Sequence, residues 1–545
     1  MIDEPNNPDS LDPATSFSSN GVEITMNTNM PLIFYAKGSY TQYIPVLAQS
    51  WNESSDGKTY TFALRQDIHF SNGDPFNAYV VWYNIYRGLV TNSPVDFVFA
   101  LYFNSSGVTA GDLNSFNNAQ NNPSGNNTLL QIMQNTGNAV TVVNFSVVQF
   151  HLTYAFSPFL GTVVGPPWEF IDPYLVGQHG GVVANTPNSW MSVNGSSFGD
   201  GPYVVKTFIP NQFTILVRNP NYWAQNVTGN YILAQGAMSQ ITLNYKTDEL
   251  TRSLDLENKR AQGGIVTFND VNNVLKASSS LYIPNLGPSG DVESFLINTE
   301  KAPLNNTLVR QAIVDSINIT QIQQSVYEGY IIPVVGPEPT NIPYYNSSIT
   351  PPSYNVTKAK QLLVQAGHSG GSGIPPLTLV FPQSEYVNLI AQILVQDFAQ
   401  IGITLQPKQL SYDTYTSVGA IQGNQSGAPN FYYSDWTFYP DFSGYEYLID
   451  AQLGIFPYFN NQTIHSLVIQ SNSELNSNNR AHEISQIMFD VQQQAGVIWL
   501  GQAIDLFETG GGFGPEVWNH CVGGMWYSAA FMSVDFNSLS YTCTP

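Results

Sequence analysis

The residues with most chemical potential lie between Tyr432 and Phe442. There Tyr432-Tyr433-Ser434-Asp435-Trp436-Thr437-Phe438-Tyr439-Pro440-Asp441-Phe442 sets two carboxylates among six aromatic rings. Rings of this kind lie against the apolar faces of a ligand while carboxylates take its donors, and the same rings at strand positions also serve packing. Gly367-His368-Ser369-Gly370-Gly371 satisfies G-x-S-x-G, but a serine nucleophile on that motif needs a strand before it and a helix after it. Here helix-like Ala359 to Ala366 precedes it and Ser372-Gly373-Ile374-Pro375-Pro376 follows, which reads as a helix stop and a loop.

The seven histidines, His69, His151, His179, His368, His465, His482 and His520, stand singly, without H-E-x-x-H or Cys-His spacing, so no zinc or other metal site is expected. There is no G-x-x-x-x-G-K-[ST] loop, so any ATP hydrolysis belongs to a partner subunit. Gly510-Gly511-Gly512-Phe513-Gly514 lacks the strand-to-helix setting of a dinucleotide turn and reads as a flexible loop. Asp248 and Glu249, if on a strand, point to opposite faces and do not form the facing pair of a glycosidase. The expectation is a protein with no catalytic residue and no cofactor.

Composition limits the partners. The chain has 545 residues and a formal charge of −22, from 39 acids against 17 bases, and only 10% of it is charged. No basic run exists to neutralise phosphates, so nucleic acid and anionic lipid are poor partners. With 31 Tyr, 31 Phe and 9 Trp the chain should fold rather than remain disordered. Its polar surface rests on Asn, Gln, Ser, Thr and Tyr, whose hydrogen bonding acid does not disturb, which points to an acidic exterior. Met1 to Pro8 is acidic and rich in Asn and Pro, so the expectation is that an export signal, and with it a leading strand, is missing from this form and that the membrane is reached only through an anchor absent from the sequence.

Twelve Asn-X-Ser/Thr acceptors occur, at Asn52, Asn104, Asn126, Asn144, Asn194, Asn226, Asn305, Asn318, Asn346, Asn355, Asn424 and Asn461. That compares with roughly eight expected by chance, so they are glycosylation sites only if the chain is exported. Cys521 and Cys543 are the two cysteines. Paired, they staple the C-terminal tail in an oxidising compartment; a free pair is the alternative.

The elements that must position these residues follow from periodicity. Asp56-Gly57 separates an apolar run from alternating Thr59 to Leu64, a hairpin that feeds a helix from Phe76 to Leu89. Asn104 to Asn127 reads as an exposed insertion. Strand patterns recur at Val140 to Val143, Tyr203 to Phe208, Phe213 to Val217 and Ile241 to Tyr245. In the second half Leu308, Ala312, Ile313, Ile317 and Ile322 keep helical spacing. Leu377 to Phe381, a helix over Leu389 to Ile401 ending at Gly402, and Ile403 to Gln406 make a strand-helix-strand unit with parallel strands. The class is α/β.

Several of these segments, in order, resemble the extracellular solute-binding proteins of the dipeptide and oligopeptide class, family 5, that serve ABC importers. Leu11-Asp12-Pro13-Ala14, YIPVLAQSW with DGKTYTFALRQDIHFSNGDPF, GPYVVKTF with VRNPNYW, VRQAIVDSIN, KAKQLLVQAG and VIWL carry the resemblance over nearly the whole chain. It implies a two-lobed periplasmic-binding-protein-like fold, type II and cluster C-like, with an extra domain inserted in the first lobe. Domain I is then expected at 1–41, 165–265 and 500–545, domain II at 42–164 and domain III, the second lobe, at 266–499.

The resemblance further implies capture of an oligopeptide, or a similarly extended polar oligomer, between two lobes and its delivery to an ABC transporter permease. The expected protein is an extracellular, membrane-associated monomer at the cell surface. In this class a Trp followed by Asp, Tyr and Asp-Pro lines the ligand site. Trp436, Tyr439 and Asp441 match that pattern, but no carboxylate stands between Trp436 and Tyr439, and Asp435 is the substitute from the other side of the indole. Tyr433, Tyr35 and Trp499 are further ligand-binding candidates, with core packing as the alternative for each. An oligosaccharide-binding protein of the same fold is the close second reading. A glycoside hydrolase or a structural cell-surface protein are the rivals of another class.

Overall fold

The hairpin expected around Asp56-Gly57 is formed by Ala48–Glu53 and Thr59–Leu64, paired antiparallel. Asp56 Oδ1 accepts from Ser54 Oγ at 2.6 Å and from the Lys58 N–H at 3.1 Å, and Gly57 takes a φ of 66°, which a Cβ disfavours. Alternation then buries Tyr60, Phe62 and Leu64 on one face of the second strand.

A computed structural model describes residues 1–509 apart from 37–38, 93–96, 105–106, 117–119, 124, 166, 228–232, 234–237, 259, 266–270 and 272–284, and beyond 509 it describes 527–528 and 533–534. The Gly510 to Gly514 stretch, Cys521 and Cys543 lie outside the described residues. The chain divides into two compact units, Met1–Val266 with Val274–Pro284 and Phe507–Pro545, and Thr267–Asn273 with Asn285–Leu506. The sequence placed the last crossing after Trp499; the division falls after Leu506, within the strand Val497–Thr509.

In the first unit Ile2–Glu4 pairs in parallel with Gln240–Tyr245 and with Gly263–Ile265. Phe213–Arg218 and Tyr203–Ile209 extend the sheet antiparallel. A second, antiparallel sheet orders Ala48–Glu53, Thr59–Leu64, Val147–His151 and Val140–Asn144. Helix Ala78–Thr91 starts at Asn77, whose Oδ1 accepts from the Tyr79 and Val80 N–H groups, and buries Trp82, Tyr83 and Tyr86. From the same helix Arg87 reaches Asp12 with both Nη atoms at 2.7 Å, both side chains buried.

Two sequence expectations are corrected here. Asn104 to Asn127 is not simply an exposed insertion. It contains helix Ala110–Asn114, closed by a Thr109–Asp112 capping box, and it buries Leu113, Phe116 and Asn121. Asn121 Nδ2 donates to Pro75 O and to Asp172 Oδ1, both at 3.0 Å, so side-chain amides hold a segment that has no apolar period. Asp248 and Glu249 lie on no strand: Asp248 caps helix Glu249–Glu257, its Oδ1 accepting from the Thr251 N–H at 2.7 Å.

In the second unit the sheet runs Leu405–Leu410, Leu377–Pro382, Phe431–Trp436, Asn285–Ile297 and Val497–Leu506. Leu377–Pro382 is parallel to both Leu405–Leu410 and Phe431–Trp436, and helix Glu385–Gln400 makes the crossover. The helix ends as its sequence indicates. Gly402 has φ of 80°, and the Ile403 and Gly402 N–H groups bond back to Phe398 O and Ala399 O. The core gathers Phe295, Leu379, Phe381, Leu394, Phe398 and Phe431. Leu308 to Ile322 is two helices rather than one, Thr307–Ser316 and Ile319–Ser325. Ile317 is extended between them, and the Asn318 N–H bonds Asp397 Oδ2 at 3.0 Å.

Candidate functional site

Parallel strands expose their carboxyl ends where an α/β sheet characteristically receives ligands. In the second unit that end is shared by Leu377–Pro382 and Phe431–Trp436, and the first turn of helix Glu385–Gln400 begins beside it. Asn285–Ile297 runs antiparallel to Phe431–Trp436 with Glu293 opposite Asp435 and Phe295 opposite Tyr433. Alternation therefore puts Glu293, Tyr433 and Asp435 on one face.

Glu293 is buried, and two tyrosines serve it: Tyr327 Oη donates to its Oε2 at 2.6 Å and Tyr433 Oη at 2.7 Å. Tyr386, from the first turn of the helix, meets Tyr433, their hydroxyl oxygens 2.9 Å apart. Burial lifts Glu293 to about 7; the tyrosine hydrogen bonds pull it down and the charge of Asp435 pushes it up. Burial first, and then Glu293, raise Tyr327, Tyr386 and Tyr433 well above the usual tyrosine range, so all three keep their protons as donors. Asp435 reaches water, yet the protein crowded round its carboxyl lifts it to about 6. Glu293 and Asp435 are directly opposed across the ladder and titrate as a pair.

The opposite face and the following turns carry the other candidates. Trp436 is 7% exposed; its Nε1 donates to Gly444 O at 2.7 Å, and its ring lies against Phe438, Tyr447 and Phe456. Tyr439 is buried and donates to Ser443 Oγ at 2.9 Å. Asp441 gives both oxygens to Arg480, at 2.7 and 2.6 Å, and also accepts from Ser443. Burial pushes the Asp441 carboxyl up, but Arg480 prevails and holds it below the usual range. Asp441, a ligand-contact candidate in the sequence, is thus engaged in an internal ion pair. Trp499 is half-buried on Val497–Thr509, opposite Ser294. Tyr35 belongs to the first unit, buried in the hairpin of Ile33–Tyr35 and Tyr43–Pro45, with its Oη 3.4 Å from Gly161 O.

Of the sequence candidates, then, Asp435 and Tyr433 come together with Glu293, Tyr327 and Tyr386, which sequence reasoning missed. The available signal was Glu293 itself, a charge at an inward position of the apolar strand text Val292-Glu293-Ser294-Phe295. All twelve sequon asparagines are at least partly exposed, and Asn126, Asn318, Asn355 and Asn461 also cap helices. Among the described residues no helix is long and apolar enough to cross a membrane.

Residues 42–451 match the family described as bacterial extracellular solute-binding proteins, family 5 middle. The nickel-binding periplasmic protein of Escherichia coli (strain K12) is 27% identical over 346 residues, 62% of this chain and 55% of that protein. The glutathione-binding protein GsiB of Salmonella typhi is 24% identical over 394 residues, 72% of this chain and 66% of that protein. The matched region therefore spans less than two thirds of these relatives' own length. Among solved structures, the ABC transporter-associated periplasmic binding protein DppA from Helicobacter pylori, in complex with the peptide STSA, superposes with a TM-score of 0.73 at 19% identity. That match covers 94% of this chain and 93% of that one, and it establishes the fold.

Proposed function

Because the chain belongs to the bacterial extracellular solute-binding proteins of family 5, we propose that it captures an oligopeptide, or a similarly extended polar molecule with a cationic end, and delivers it to an ABC transporter permease. The observation that carries this reading is Asp435, a water-reaching carboxyl at the carboxyl end of parallel strands, backed by Glu293 and three tyrosine hydroxyls. A buried or half-buried ammonium needs a charged, hydrogen-bonding partner, and this group is one. The relatives support the chemistry: GsiB is named for glutathione, and DppA was solved with a peptide. Binding holds the ligand by hydrogen bonds and charge and breaks no covalent bond in it.

In this reading the protein works outside the membrane, as a monomer, and exposed sequons such as Asn52, Asn144 and Asn305 carry glycans if the host glycosylates exported chains. A thermal-shift screen of di- to pentapeptides, the same peptides N-acetylated, and neutral oligosaccharides tests the proposal, since a ligand that binds only the folded form raises the melting temperature. Free peptides should shift it and acetylated ones much less. A shift with oligosaccharides alone transfers the reading to sugars and overturns the peptide assignment.

A further inference from the structure

The turns that follow Trp436, as far as Leu453, rest on buried ionisable groups whose charges do not balance. Asp441 caps the Phe442–Gly444 turn and engages both Nη atoms of Arg480, which comes from helix Ser477–Gln494. Arg480 Nε donates to Ser471 O at 3.1 Å, and its guanidinium lies over Tyr344, 4.9 Å from the ring centre. Asp450, capping Ala451–Leu453, meets His465 Nδ1 at 2.7 Å. Two carboxyls remain. Glu338 and Glu446 are wholly buried and make no ion pair among the described residues. Among the described residues Tyr345 faces Glu338 and Tyr439 faces Glu446, with Tyr447 beside Tyr439 and Tyr344 beside Arg480.

Hydrogen bonding treats the two acids differently. Asn472 places Nδ2 3.0 and 2.9 Å from the two oxygens of Glu446, while its own Oδ1 is buried without a donor. Those two hydrogen bonds favour the ionised form of Glu446, but they bring no cation to it. Neither oxygen of Glu338 receives a hydrogen bond, so an ionised carboxylate there has nothing to replace its lost water.

We propose that Glu338 and Glu446 are positioning residues held as neutral acids, whose protons keep the Trp436 to Leu453 segment in place. The segment is tight in acid and loosens as the medium turns alkaline. Burial raises both groups well above the ordinary glutamate range, opposed only in part by Arg480 and, at Glu446, first by the Asn472 hydrogen bonds. The sign follows: their contribution to stability is complete below the ordinary glutamate range and is lost as pH rises through their raised values. The inference rests on internal packing and holds whether or not cargo touches this segment.

The test is amide hydrogen exchange, read by mass spectrometry on the full chain at about pH 5 and about pH 8 and corrected for the intrinsic pH dependence of exchange. Peptides covering 436–453 should lose protection at the higher pH while those covering 385–400 keep theirs. Glu338→Gln/Glu446→Gln preserves shape without a charge, so its 436–453 peptides should stay protected at both values. Equal protection of 436–453 in the unsubstituted protein at the two pH values overturns the proposal, with no variant needed. A double variant that folds and loosens as the parent does overturns it as well.

Discussion

Replacing Asp435 with Asn separates the charge of the candidate site from its shape. Asp435 is at the surface and its ladder partner Glu293 is buried, so the substitution should leave folding nearly intact. A hydrogen bond between charged groups contributes about 1.5–3 kcal/mol, and about 1.4 kcal/mol is tenfold in affinity. Asp435→Asn should therefore weaken a free-amine peptide by about 10- to 150-fold at pH 6. Some of that loss should return at higher pH. Directly opposed residues on antiparallel strands are close neighbours, and the charge of Asp435 is one of the causes that raise Glu293. Without its charged neighbour Glu293, now raised to about 7, ionises more readily and partly replaces Asp435. Isothermal titration at pH 6 and pH 8, with free and N-acetylated forms of one peptide, measures both effects. Unchanged affinity at pH 6, or equal loss for free and acetylated peptides, would refute the assignment of Asp435 to a ligand cation.

Four further outcomes follow from the same geometry. Asp12→Asn leaves Arg87 buried without its carboxylate and should cost about 3–5 kcal/mol in denaturant unfolding; a loss under about 1 kcal/mol would mean the pair is dispensable. Trp436→Ala empties an aromatic pocket and should destabilise by about 3–5 kcal/mol, whereas an unaltered unfolding midpoint would show the indole to be unpacked. Gly402→Ala meets both a positive φ and the Gly370 carbonyl, which an added Cβ would strike, so it should destabilise by more than about 1 kcal/mol. Asp200, wholly buried and raised by burial to about 8, contributes stability that is present below the ordinary aspartate range and lost as pH rises through that value. Melting temperature should fall between about pH 6 and about pH 9, and Asp200→Asn should flatten that fall; a curve that rises with pH contradicts it.

Local chemistry made much of the fold legible. Asp56-Gly57 between alternating strands, and the helical period from Leu389 to Ile401 before Gly402, each state their own geometry within some twenty residues. What stayed hidden depends on distant partners. Glu293 and Tyr433 are 140 residues apart and Asp441 and Arg480 are 39 apart, so neither periodicity nor motif could show that one carboxyl is met by tyrosine hydroxyls while the other is neutralised by a guanidinium. Asp248 misled because a helix cap and a strand residue share the same short-range text. Asn121 was missed because it is buried through amide hydrogen bonds rather than through apolar contact.

Native mass spectrometry of the protein after incubation with a defined peptide mixture tests capture without chemistry most directly. The account predicts one intact peptide bound per chain, recovered unaltered on denaturation and displaced by excess free-amine competitor. Cleaved or modified peptides in the mixture, or no bound peptide at all, would contradict it.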